Sequence, residues 1–194
     1  MLSLVEHART FPEQAAANAK DVERLADGRT PETLFVMCSD SRAVPSLITG
    51  ARPGRLFGLR TAGHIVPPHP AEDRPTGEAA TIEYAPRMPQ VRGTVVCGHS
   101  PCGAAGAMLR GDNLSAMPAV HHRPARSTDG RAPATDAGDP PGAAQARALG
   151  RLDSLRVRER LTDGSLGLPA GYDEAHTGFV SFHRPERGTE FARL

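Results

Sequence analysis

The 194-residue chain has no tryptophan, and aromatic residues make up only 4% of it. Its apolar fraction is a modest 39%, yet a chain of this length can bury roughly 70% of its unfolded surface, so a core is possible without staples. Lysine is almost absent, arginine carries the positive charge, and the formal net charge is +1. With no surplus of either sign, neither nucleic acid nor an acidic membrane surface is expected as a partner. No stretch approaches the roughly eighteen uninterrupted apolar residues of a membrane span. Met1 to Arg9 carries charges inside its apolar pattern, which a signal peptide does not. Cysteine is scarce too, and its count of three is odd. That argues against a disulfide framework and for thiolate ligands in a reducing compartment, so a soluble, cytoplasmic protein is expected.

Glycine (20) and proline (18) are plentiful, and the chemistry gathers where they punctuate apolar runs. Val95-Val96-Cys97-Gly98-His99-Ser100-Pro101-Cys102-Gly103 puts an imidazole and a thiol three residues apart, where an apolar run ends in a glycine-rich turn. Upstream, Phe35-Val36-Met37-Cys38-Ser39-Asp40-Ser41-Arg42 repeats the design: an apolar run, a cysteine, a polar turn. Both runs read as buried strands. If these lie side by side and parallel, Cys38, His99 and Cys102 meet at the carboxyl edge of the sheet, where open α/β sheets bind ligands. Two thiols and one imidazole with a corner left over suit a catalytic zinc site. Alternatively, they are buried free cysteines, which are common in cores. Cys97, inside its strand, is expected to be a buried, inert thiol.

In chain order, residues 2–27 read as helical with an interruption near Phe11-Pro12 and a stop at Asp27-Gly28. This segment is either an arm lying on another surface, such as a second subunit, or an ordinary surface helix. Strands are expected over Thr33–Met37, Arg55–Arg60 and Val91–Cys97. Short helices are expected through Leu47-Ile48, over Gly77–Ala85 with Thr76 as N-cap, and over Gly103–Arg110. Strand and helix alternate, so the fold class is α/β with a mostly parallel central sheet flanked by helices. One domain is expected over 1–194: an arm (1–30), the site-bearing core (31–110), a flexible Pro/Gly/Ala-rich loop (111–147) and a divergent C-terminal part (148–194). The least apolar stretch is Arg123 to Gly142. Apolar spacing returns at Leu149, Leu152, Leu155 and Leu161, which reads as one helix or two ending at Asp163-Gly164, and Gly178 to Phe182 reads as a last edge strand.

Asp40 and Arg42 stand two apart after Cys38. An arginine can hold a carboxylate by a bidentate, charge-assisted pair and keep it ionised. A carboxylate fixed beside a metal can accept a hydrogen bond from metal-bound water. The alternative is plain capping of the following helix by Ser39, Asp40 or Ser41.

Cys38-Ser39-Asp40-Ser41-Arg42, Ala62-Gly63-His64-Ile65-Val66-Pro67-Pro68, Gly77-Glu78-Ala79-Ala80-Thr81-Ile82-Glu83-Tyr84-Ala85 and Val96-Cys97-Gly98-His99-Ser100-Pro101-Cys102-Gly103 together resemble the β-class carbonic anhydrases. The similarity runs from about residue 3 to 110. It resumes weakly after 149, at Asp163-Gly164-Ser165-Leu166 and His176-Thr177-Gly178. The resemblance implies a helical arm that wraps a partner, and a homodimer or dimer-based oligomer. It implies Zn2+ on Cys38, His99 and Cys102, with either water or, in a closed form, Asp40 in fourth place. Asp40 and Arg42 would be the catalytic dyad. The implied reaction is reversible hydration of CO2 to bicarbonate and a proton by zinc-bound hydroxide; zinc lowers the pKa of bound water to about 7 in carbonic anhydrase, a value established for that enzyme. Two other functions fit the same scaffold: hydrolysis of carbonyl sulfide or carbon disulfide, and a catalytically silent zinc protein. Retention of both Asp40 and Arg42 favours catalysis.

Departures from the family pattern are also visible. His64 stands where the family usually has Asn, and it is either a tolerated loop substitution or a proton carrier. Pro86 and Pro89 fall where the family runs a continuous helix, so that helix is expected to end at Ala85. His121-His122 is expected to be exposed loop, not a second metal site. Leu168-Pro169-Ala170-Gly171-Tyr172 replaces residues that would normally form an aromatic-rich strand, so the sheet edge and dimer surface are expected to be weakened.

Overall fold

The computed structural model describes residues 2–17, 19–66, 76–88, 91–121, 169–183 and 192–193. Six strands form one sheet: β1 (Thr33–Cys38), β2 (Leu56–Thr61), β3 (Gly93–Ser100), β4 (Ala170–Glu174), β5 (Phe179–His183) and β6 (Ala192–Arg193), in the order β2-β1-β3-β4-β5-β6. β1 to β4 run parallel, and β5 and β6 are added antiparallel. The expected α/β class, with a mostly parallel sheet and an N-terminal helical segment, is what is found.

β1 and β3 are central and read as near-continuous apolar runs because both their faces are covered. Leu34, Val36 and Val96 face one layer, with Ile82 of helix α4 (Gly77–Tyr84) and Ala85 against them. Phe35, Met37 and Cys97 face the other, with Ala43 and the half-buried Ile48 of helix α3 (Pro45–Thr49). Thr76 caps α4 as expected: its Oγ1 accepts from the Ala79 amide at 3.2 Å. The helix gives way at Ala85 to a 3-10 turn through Arg87 that contains Pro86. Helix α5 spans Gly103–Arg110.

Five expectations need correction. The N-terminal helices α1 (Leu2–Ala16) and α2 (Ala19–Ala26) are divided after Ala16, not at Pro12. Proline's own φ is helical and it removes a single i−4 hydrogen bond, and α1 is exposed, so the freed carbonyl can be hydrated. β3 runs to Ser100 instead of ending at Cys97, which puts His99 on the strand. The reason is β4, whose Tyr172, Asp173 and Glu174 pair with Gly98, His99 and Ser100 and extend the ladder. The strand thought lost at 168–172 therefore exists, and β5, expected at the edge, has β4 on one side and β6 on the other. Finally, the loop expected from residue 111 opens with a buried Leu114 and a short helix α6 (Pro118–His121). The expectations for 123–142, for the apolar spacing at 149–161 and for His122 and Pro89 lie outside the described residues.

β4 pairs so closely because Gly171 has no side chain. A Cβ there would lie 3.2 Å from Cys97 Sγ and 3.5 Å from the Phe182 ring. Gly171→Ala is therefore expected to lower stability to urea by about 1 kcal/mol, the low end for an overpacked core. Cys97→Ala, which frees the space, should recover much of that loss in the double variant. Additive effects in that cycle would mean the contact is not limiting.

Candidate metal centre

Cys38 is the last residue of β1 and His99 the second-last of β3. Because these strands pair in parallel, both chains leave the sheet at the same edge. Cys102 follows the Ser100-Pro101 turn and immediately precedes α5. The candidate ligand atoms of Cys38, His99 and Cys102 all lie within 4.8 Å of one another, and among the described residues these three form the group able to hold a metal. The two sulfurs are 3.8 Å apart. Two metal–sulfur bonds of about 2.3 Å at a tetrahedral angle would set them about 3.8 Å apart, so the spacing suits a zinc-sized ion.

His99 supplies an independent test of fit. The residue is 1% exposed, and among the described residues neither Nδ1 nor Nε2 has a hydrogen-bond partner. Burial pushes its pKa down, leaving a neutral imidazole with a lone pair to give. Such an unsatisfied buried group is rare in native proteins, and a metal would satisfy one of the two nitrogens. Backbone amides act on both sulfurs. The Gly63 amide points at Cys38 Sγ from 3.3 Å. Burial raises the Cys102 pKa, while the amides of Ala105 and Ala104, in the first turn of α5, act against that rise.

Asp40 and Arg42 form the expected bidentate pair. Arg42 Nε donates to Asp40 Oδ1 at 3.0 Å and Arg42 Nη2 to Oδ2 at 2.7 Å. The Arg42 amide adds a third bond to Oδ1 at 3.0 Å. Held chiefly by the Arg42 side chain, the Asp40 carboxyl lies well below the usual carboxylate range. Asp40 does not cap α3, whose N-cap is Val44 with no side-chain bond. Arg42 Nη2 also reaches the Pro101 carbonyl at 2.7 Å, tying the Cys38 turn to the turn that carries Cys102.

Cys97 stays apart from this group. It is buried against Gly171, and burial pushes its thiol up to about 12. His64 is buried with φ 51, in a 3-10 turn (Ala62–His64) whose Gly63 has φ 72. Three residues at the site carried no chemical signal of their own in the sequence. Gly63 stood in a loop noted only for its small residues. Asp173, buried in register beside His99, and Arg60, whose side chain reaches the Cys38 turn, depend on strand pairing and tertiary contact.

Sheet and site together define an α/β protein with a two-cysteine, one-histidine centre at the carboxyl edge of parallel strands. The family model described as "Carbonic anhydrase" matches residues 33–161. The carbonic anhydrase of Pseudomonas aeruginosa is 44% identical over 110 residues, covering 55% of this chain and 49% of that protein. That of Synechococcus elongatus is 42% identical over 123 residues, covering 62% and 44%. The chain thus spans about half the length, or less, of these curated relatives. Among solved structures, the β-carbonic anhydrase CcaA superposes with a TM-score of 0.86 at 28% identity, over 100% of this chain and 92% of that one. The chain belongs to the β-carbonic anhydrase family.

Titrating metal-free protein with Co2+ as a probe is expected to end at one equivalent, with a sulfur-to-metal charge-transfer band. His99→Ala should weaken binding by at least about tenfold, the size of effect that even outer-sphere partners have, and Cys97→Ser should leave it unchanged. Undiminished binding by His99→Ala would remove this residue from the ligand set.

Proposed function

We propose that the protein catalyses the reversible hydration of CO2 to bicarbonate and a proton, with zinc held by Cys38, His99 and Cys102. The observation that carries this is the Asp40–Arg42 pair beside the ligand cluster, since a metal site with a purely structural role needs neither residue. Bound there, zinc supplies the Lewis acidity that makes water a nucleophile near neutral pH.

The chain's own groups do the rest. Arg42 grips Asp40 at both oxygens, so the carboxylate cannot rotate and presents a fixed acceptor to a water in the site. Because Arg42 holds the Asp40 pKa so low, Asp40 stays ionised throughout the neutral range. It orients the water by accepting a hydrogen bond and does not store the proton, which passes on to buffer. Arg42 is 50% exposed and Asp40 19%, so the pair stands where solvent and a small substrate can reach it.

The arm supports a dimer-based assembly. Leu4 is 73% and Phe11 60% exposed on α1, a helix with little of the described chain against it. Three cysteines without a disulfide suit a reducing cytoplasm. Among the described residues, no helix is long and apolar enough to cross a membrane.

In a stopped-flow CO2 hydration assay, Asp40→Asn is expected to cut kcat by about a hundredfold or more while zinc content stays at one equivalent. Full activity in that variant would exclude the role given to Asp40. In sedimentation, Leu4→Glu with Phe11→Glu should shift the wild-type assembly toward monomer. An unchanged sedimentation coefficient would mean the arm does not hold the assembly together.

A further inference from the structure

Arg60 leaves the end of β2, and its guanidinium reaches across to the turn that carries Cys38 and Asp40. Its Nε donates to the Cys38 carbonyl at 2.9 Å, and its Nη2 donates to the carbonyls of Asp40 and Ala43, each at 2.6 Å. Among the described residues, all the hydrogen bonds of this side chain go to main-chain carbonyls of that one turn. Past Cys38 the turn has little ladder of its own. The Ser39 amide still bonds to Thr61 at 3.0 Å, and the Ala43 amide folds back on the Asp40 carbonyl at 3.1 Å. Two arginines therefore pin it from two directions: Arg42 ties it to Pro101, and Arg60 ties it to β2.

We propose that Arg60 is a positioning residue for the hydration reaction, holding the main chain of Asp40 so that the Asp40–Arg42 pair keeps one fixed place relative to the metal ligands. The inference rests on the proposed hydration reaction. Its physical basis is the planar fork of the guanidinium, which presents several donors in a rigid geometry and serves three carbonyls at once. The ammonium of a lysine is a point donor on a flexible stem and cannot reproduce that. The Asp40 side chain touches Arg42, not Arg60, so Arg60 acts through the backbone alone. The Asp40 carbonyl belongs to a partly exposed residue and can be hydrated once freed, and β1 keeps its pairing to β2 and β3, so losing Arg60 should loosen the turn without unfolding the sheet, at some cost in stability because Cys38 and Ala43 are buried. A displacement of about 1 Å at a group that orients a reactant can cost on the order of a hundredfold in rate.

The test uses zinc-loaded wild type, Arg60→Gln and Arg60→Lys. Both variants are expected to keep one equivalent of zinc and a KM within about threefold of wild type, while kcat falls by about tenfold or more. In Arg60→Gln, amide hydrogen exchange should speed up in the peptide covering 38–43 and stay unchanged over 93–100. Asp40→Asn should cost much less in the Arg60→Gln background than in wild type, because a pair already misplaced has less to lose. Wild-type kcat in Arg60→Gln, or losses at positions 40 and 60 that simply multiply, would overturn the inference. Arg60→Lys decides in the same way if the glutamine variant is unstable. An inactive zinc-loaded wild type would overturn the reaction instead, and the exchange data would still decide whether Arg60 holds the turn.

Discussion

The site is organised around a buried imidazole that no hydrogen bond satisfies among the described residues. Leaving a polar group in that condition costs about 1–3 kcal/mol, and His99 offers two such nitrogens in a residue that is 1% exposed. Two sulfurs stand beside the ring at the spacing a tetrahedral ion requires, so an ion held there would relieve one of the two nitrogens. Everything around them keeps this triangle in shape. β1 and β3 pair in parallel and bring Cys38 and His99 to one edge. The first turn of α5 directs amides at Cys102, and the left-handed Gly63 directs one at Cys38. Amides aimed at sulfur draw off part of the thiolate charge, which would matter for a metal held there, since two thiolates would otherwise blunt its acidity.

The polar turn between Cys38 and α3 is the second constraint. A free turn of this kind would sample several conformations and scatter the Asp40 carboxylate among them. Arg42 prevents this with a fork on the carboxylate and a bond to Pro101, so the two halves of the site, sixty residues apart in the chain, are tied by one side chain. The same fork keeps Asp40 ionised, which makes it an acceptor rather than a proton store.

The C-terminal strands contribute more than an edge. By pairing with Gly98, His99 and Ser100, β4 holds the end of β3 extended where the glycine and the following proline would otherwise start a turn. Its close approach needs Gly171, since a side chain there would meet Cys97. Cys97 thus has a packing function at the very place where the neighbouring cysteines gather chemistry. Burial keeps its thiol protonated, which separates it from the ligands by environment and not by residue type.

Much of this was legible in the residue order because it depends on local pattern. Short apolar runs ending in cysteine marked β1 and β3, and Thr76 marked the start of α4. The Asp-x-Arg spacing alone sufficed to foresee a bidentate pair, since two residues of separation bring those side chains within reach of each other. What the order of residues could not decide was pairing between distant segments. Ala170-Gly171-Tyr172 has a weak strand signal, and only the exposed ladder of β3 makes it a strand. Asp173 comes beside His99, and Arg60 over the Cys38 turn, through contacts that exist only once the sheet has assembled. Local chemistry marked the candidate ligands and the Asp40–Arg42 pair; the non-local hydrogen bonds that hold them at their distances were decided by the tertiary structure, because a carbonyl or an edge strand gives no sign in sequence of which distant donor will meet it.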